Sequence, residues 1–60
     1  MKVKDIVEKI DYPDDVEVTI YSYLLEDNVY QGFEVPESLY DEEVQGIEIP
    51  EKNAIMLNIK

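Results

Sequence analysis

Sixty residues make a single small domain spanning 1–60, and 15 Asp and Glu against five Lys leave a formal net charge of −10. Such an acidic surface disfavours direct binding to nucleic acid and to anionic membranes. The chain has no His and no Cys, so it lacks an imidazole base, a thiolate nucleophile and soft metal ligands. This composition predicts a protein that is not an enzyme and that holds no cofactor.

The first ten residues have the spacing of an amphipathic helix. Apolar side chains recur at i, i+3, i+4 and i+7, with charged residues between them: Val3, Ile6, Val7 and Ile10. Pro13 disfavours helix in the residue before it, and Pro13-Asp14-Asp15 has the composition of a turn. The pattern predicts a helix near residues 2–10. It contains no uninterrupted apolar run, so neither a signal peptide nor a membrane span is predicted, and we expect a cytoplasmic protein.

Two alternating segments follow this turn. In VEVTIYSYLL, one face is apolar and is expected to be buried: Val16, Val18, Ile20 and Leu24. The polar segment 26–28 predicts a hairpin loop, after which Val29, Phe33 and Val35 share one face of a second strand. Pro36 is expected to end that strand, because proline cannot donate a hydrogen bond to a sheet.

Two more strands are predicted after a short connection at residues 37–43. VQGIEI forms the third and ends at Pro50, and AIMLNIK forms the fourth, with alternate isoleucine and leucine side chains on one face. Hydrophobic residues make up 45% of the chain and recur with regular periods, which favours a folded domain over disorder. The order of elements predicts an α+β fold, with a short N-terminal helix packed on a mainly antiparallel sheet of three to four strands. The sheet face beneath the helix is expected to carry Val18, Ile20, Phe33, Ile47, Ile55 and Leu57.

A near-repeat connects the second and third predicted strands. QGFEVPE at 31–37 and QGIEIPE at 45–51 match at five of seven positions and lie 14 residues apart, an even spacing that gives both copies the same side-chain parity if both are strands. Two strands built by the same local rules, a paired acidic binding surface, and chance all account for the repeat. The second hypothesis predicts an outward ridge of carboxylates formed by Glu34, Glu37, Glu48 and Glu51.

Tyrosines mark a second candidate surface. Tyr21 and Tyr23 alternate with the apolar residues of the first strand, and with Tyr30 they are expected on the sheet face opposite the helix. Packing between neighbouring strands explains them as well as a partner surface does, because tyrosine suits a half-exposed sheet face. If this face is uncovered, it is the best candidate for contact with a partner or with a second copy in a homodimer, which a domain of this size could use to bury more apolar surface.

Calcium is the one metal that the side chains suit. Asp14-Asp15 and Asp41-Glu42-Glu43 offer oxygen ligands, but neither cluster has the alternating spacing of an EF-hand loop. Solvated carboxylates in turns explain both clusters, so no metal site is predicted.

Two parts of the chain resemble small uncharacterised proteins of Gram-positive bacteria and their phages. These are KVKDIVEKI followed by PDDVEVTIY, and VPESLYDEEVQGIEI. The resemblance implies a phage or prophage accessory protein of unassigned activity, and it supplies no catalytic residues.

Two classes of function fit the residues. The first is a non-catalytic acidic interaction protein that binds a basic protein surface, and it includes a mimic of nucleic-acid phosphates that inhibits a nucleic-acid-binding protein. The second is a structural or assembly module that associates with itself or with another chain through its sheet.

Overall fold

The computed structural model of the chain describes residues 1–9 and 16–60. Its elements, in chain order, are α1 (Val3–Lys9), β1 (Glu17–Ser22), β2 (Asp27–Gly32), a 3-10 helix (Glu37–Leu39), β3 (Val44–Glu51) and β4 (Ala54–Ile59). The predicted α+β fold is confirmed, with one short N-terminal helix and one four-stranded sheet. Ile10 and the predicted turn at 13–15 lie outside the described residues.

The sheet is mixed, with strand order β2-β1-β4-β3. β1 and β2 form one antiparallel hairpin, β3 and β4 form another, and the hairpins join through a parallel pairing of β1 with β4. Neighbouring parallel strands cannot be joined by a tight turn. Here β2, the 3-10 helix and β3 all lie between the two central strands along the chain, so β2 and β3 become the edges of the sheet.

α1 begins where the segment before β3 supplies hydrogen-bond acceptors. The backbone N–H of Val3 donates to the Glu42 carbonyl at 2.9 Å, and that of Lys4 donates to the Tyr40 carbonyl at 3.0 Å. The Asp5 carboxylate accepts from the Lys2 N–H at 2.9 Å. Donors in the first turn of a helix have no partner within the helix, so these contacts both satisfy them and fix the helix against the sheet.

The core lies between α1 and one face of the sheet, which we call the helix face. Residues paired across a ladder share a face, and the pairs Val18 with Ile55 and Ile20 with Leu57 place these side chains together. The buried core consists of Val3, Ile6, Val7, Val18, Ile20, Val35, Leu57 and Ile59. The helical spacing and the alternation of the central strands therefore predicted most of the core correctly.

Three residues expected in the core are exposed. Leu24 lies in the turn after β1, because that strand ends at Ser22. Phe33 is 54% exposed, since β2 ends at Gly32 and the chain bends there. Ile47 pairs with the buried Leu57 and so lies on the helix face, yet it is 49% exposed because β3 is an edge strand.

The second predicted strand also has different limits. β2 begins at Asp27 and ends at Gly32, so Pro36 does not end it, and Val29 is exposed. Val35 is buried as predicted, but in the segment that leaves β2 rather than in a strand. β3 continues one residue past Pro50 to Glu51.

Candidate functional site

The two copies of the repeat do not form equivalent strands. The first copy supplies only Gln31 and Gly32 to β2 and continues into a bend, whereas the second copy lies entirely within β3. The Tyr30 hydroxyl closes the bend by accepting from the Glu34 N–H at 2.8 Å and donating to the Glu34 carbonyl. The position 14 residues later is Val44, which has no hydroxyl to hold such a bend. The hypothesis of two equivalent strands is therefore wrong.

The predicted ridge of four glutamates is consequently divided. Glu34 lies in the bend and Glu37 begins the 3-10 helix, on either side of the buried Val35. Glu48 and Glu51 lie on β3, where they pair with Met56 and Ala54 on the sheet face opposite α1. The partner-binding role of all four stays a prediction, but the structure presents them as two separate pairs.

The predicted tyrosine surface loses one member. Tyr30 pairs with Ile20, so it lies on the helix face, and it packs against the core. Tyr21 pairs with the β4 residue Asn58 on the opposite face. The rings of Tyr21 and Tyr23 meet edge to face, with centroids 5.7 Å apart and planes at 79°. Two of the three tyrosines therefore form one aromatic pair, in a geometry that aromatic rings prefer.

The face opposite α1 is organised in three rows that cross the sheet from β1 through β4 to β3. Each row follows from the strand registers. The rows are Tyr21–Asn58–Gly46, Thr19–Met56–Glu48 and Glu17–Ala54–Glu51. Tyrosine therefore lies at one end of this face, and carboxylates lie towards the opposite end. We call this face of the sheet the open face, because α1 packs on the helix face.

Asn58 and Gly46 lie beside the tyrosines on the open face, and Asn58 contacts a glutamate. Asn58 is 5% exposed, and its side-chain Nδ2 donates to Glu48 Oε2 at 3.2 Å. A Cβ at Gly46 would lie 3.4 Å from that Nδ2 and 4.0 Å from the Tyr23 hydroxyl, so the glycine leaves the space that these groups occupy. At the acidic end, Gln31 Nε2 donates to Glu17 Oε1 at 3.0 Å. These contacts orient Glu48 and Glu17 on the sheet.

Sequence reasoning missed Gly46 and Asn58 as parts of this surface. Asn58 stands between two buried apolar residues of β4, and a polar side chain in such an alternation marks the other face of the strand. That alternation is the signal that could have identified it.

The ion pairs found among the described residues all involve the N-terminal segment. The N-terminal amine lies 3.1 Å from Glu43 Oε2, and the Lys2 and Lys4 ammonium groups each lie 3.9 Å from Asp41 Oδ1. These contacts place the protein's own positive charges beside the acidic cluster at 41–43, for which no metal site was predicted. The other acidic cluster, Asp14-Asp15, lies outside the described residues. Within residues 1–9 and 16–60, no ion pair reaches the carboxylates of the open face.

The melting temperature is expected to rise between low and moderate salt. The ion pairs of the described residues are exposed and contribute little, whereas repulsion among 15 acids acts throughout a compact chain and is screened by salt. Thermal unfolding followed by circular dichroism across a sodium chloride series measures this. A melting temperature that falls steadily over the same series would show that specific ion pairs dominate.

Comparisons of the chain with protein-family models, with curated proteins and with solved structures give no match. The resemblance to phage-type proteins therefore stays a prediction. No helix of the described residues is long and apolar enough to cross a membrane. The open face presents aromatic rings and carboxylates, and both kinds of group can contact cations.

Proposed function

We propose that the chain is a non-catalytic acidic binding module that holds a basic protein surface against its open face. The observation that carries this proposal is the tyrosine pair on a sheet face whose remaining rows end in carboxylates. Tyr21 and Tyr23 lie at one end, and Glu17, Glu48 and Glu51 lie towards the other. Aromatic rings beside carboxylates that have no ion pair among the described residues suit lysine and arginine, which carry an apolar stem and a charged head.

The chemistry divides between the two ends of the face. The stems and guanidinium planes of the partner pack on the tyrosine rings, where a cation is attracted to the ring face. Its charged heads reach Glu48 and Glu51, which accept charge-assisted hydrogen bonds. A net charge of −10 increases the rate of encounter with a basic partner and makes it depend on salt. A partner that normally binds nucleic acid would then be inhibited by competition.

The repeat supplies a matched pair of variants for testing this proposal. Glu48→Gln/Glu51→Gln and Glu34→Gln/Glu37→Gln remove the same charge from the same residue types in nearly the same local sequence. Glutamine keeps an oxygen that can accept from Asn58, so the open face keeps its hydrogen bond. Only the first variant changes the face that carries the tyrosine pair.

The probe is a short peptide of alternating arginine and serine, titrated into the protein by calorimetry at low and moderate salt. We expect the Glu48/Glu51 variant to lose about tenfold in affinity, or roughly 1.4 kcal/mol, and the Glu34/Glu37 variant to lose about twofold or less. Tyr23→Ala should also weaken binding. Equal losses from both glutamate variants would mean that only total charge matters, and the open face would then not be the site.

Self-association is a second candidate function, and one observation favours it. Ile47 and Ile49 are both exposed on the edge strand β3, and exposed apolar edges pair with other strands. Salt separates the two functions, since screening would weaken binding to the arginine peptide and would strengthen association between two chains of the same charge. Sedimentation velocity on the samples of the same salt series distinguishes them.

A further inference from the structure

The turn between β1 and β2 exposes an apolar tip. Leu24 is 80% exposed and Leu25 is 65% exposed, and Tyr23 beside them is more than half exposed. Single exposed apolar side chains are ordinary on protein surfaces, but three in succession form a patch. Glu26 and Asp27 follow directly, so two carboxylates border the patch.

The backbone beneath this tip is anchored. The Tyr23 N–H donates to the Ile59 carbonyl at 2.9 Å, which continues the contact between β1 and β4. The buried Ser22 hydroxyl accepts from the Leu25 N–H at 3.2 Å and donates to the Lys60 carbonyl at 3.1 Å. The leucines are therefore presented by a fixed turn, and little ordering of this backbone is needed when a partner binds.

Glu26 adds a second observation. Its φ is 54°, and it is the one residue other than glycine with positive φ in the described chain. Glycine or asparagine adopts this conformation with less strain than glutamate. Strained backbone recurs at functional sites, and here the strained position carries a charge next to the exposed leucines.

We propose that this hairpin tip, Tyr23–Asp27, inserts Leu24 and Leu25 into an apolar groove on a partner protein whose rim carries lysine or arginine. The proposal rests on the proposed function for the basic character of the partner, and Tyr23 connects the tip to the open face. Charge complementarity selects this occupant: a second copy would bring Glu26 and Asp27 against the same acids, and an anionic membrane would repel them.

The test uses two peptides and two variants. An amphipathic helical peptide of lysine and leucine presents an apolar strip bordered by cations, and a peptide with alanine in place of each leucine keeps the charge without that strip. Leu24→Ser/Leu25→Ser removes the tip, and Phe33→Ser/Ile49→Ser removes two other exposed apolar side chains. All four positions are exposed, so both variants should fold, which circular dichroism checks.

We expect the lysine–leucine peptide to bind at least about tenfold more tightly than the lysine–alanine peptide. When this peptide is added, the amide chemical shifts of the protein in nuclear magnetic resonance spectra should change at Tyr23–Asp27. The tip variant should lose this advantage, and the Phe33/Ile49 variant should keep it. A comparable loss in both variants, an unchanged tip variant, or no binding of the lysine–leucine peptide would overturn the proposal, as would tip-dependent binding to phosphatidylglycerol vesicles.

The results separate this proposal from the proposed function. If Glu48→Gln/Glu51→Gln weakens the arginine peptide while the tip variant binds the lysine–leucine peptide normally, the open face stands and the docking tip fails. If the tip variant no longer binds the lysine–leucine peptide tightly, while the two glutamate variants bind the arginine peptide with equal affinity, the docking tip is supported and the open face is not the site.

Discussion

Ile20→Ala is expected to lower the free energy of unfolding by about 2–5 kcal/mol, which is a large part of the stability of a domain this small. The Ile20 side chain is 0% exposed and lies at the centre of the sheet, between Tyr30 on β2 and Leu57 on β4. Truncation removes apolar contacts and leaves a cavity that the surrounding strands can fill only in part. Denaturant unfolding followed by circular dichroism measures the loss.

Ile49→Ala is the matched control, because it removes the same atoms from a side chain that is 73% exposed. It should change the free energy of unfolding by less than about 0.5 kcal/mol. Similar unfolding curves for the two variants would show that the helix face of β1 is not the core.

Local periods predicted those parts of the fold that local sequence determines. The i, i+3, i+4 spacing placed Val3, Ile6 and Val7 on the buried side of α1, and the alternation of β1 placed Val18 and Ile20 on the buried face of the sheet. The parallel contact of β1 with β4 joins residues about 37 positions apart, as in the pairing of Val18 with Ile55, and no local period encodes it. Because that contact puts β2 and β3 at the edges of the sheet, it also explains why Ile47 is exposed.

The candidate site was predictable in part for the same reason. Tyr21 and Tyr23 share a face because they stand two residues apart in and beyond β1. Tyr30 was placed on the wrong face, since the register shifts by one residue where β2 pairs with Ile20 and Tyr21, and Val29 is the extra residue. A shift of one residue turns every following side chain to the other face, and the alternation of the sequence does not reveal such a bulge.

This bulge also explains how the repeat diverges. Because Tyr30 is turned to the helix face, its hydroxyl reaches the backbone of Glu34 and closes the bend after Gly32. In the second copy, Val44 stands in place of Tyr30 and makes no such contact, so the closely similar sequence continues as a strand in the ladder between β3 and β4. The difference between the copies comes from the residue that precedes each QG pair.

Gly32→Ala should therefore destabilise the domain by about 1–3 kcal/mol, while Gly46→Ala should change its stability by less than about 0.5 kcal/mol. A Cβ at Gly32 would lie 2.6 Å from the Tyr30 hydroxyl oxygen and 3.1 Å from Cζ of the same ring. That hydroxyl is held by two hydrogen bonds to Glu34, so the ring cannot move without breaking the bend. At Gly46 the nearest atom is Asn58 Nδ2 at 3.4 Å, an ordinary contact.

A double-mutant cycle assigns the cause of this difference. Tyr30→Phe removes the hydroxyl and with it the two hydrogen bonds to Glu34, which by itself lowers the stability. It also removes the atom that lies nearest to the methyl group introduced by Gly32→Ala. Gly32→Ala should then lower the free energy of unfolding less in the Tyr30→Phe background than in the parent. In denaturant unfolding, the double variant should therefore be more stable than the sum of the two single losses predicts. An equal cost in both backgrounds would mean that the clash lies elsewhere. Equal costs for the two glycines would contradict the assignment of one copy to a bend and the other to a strand.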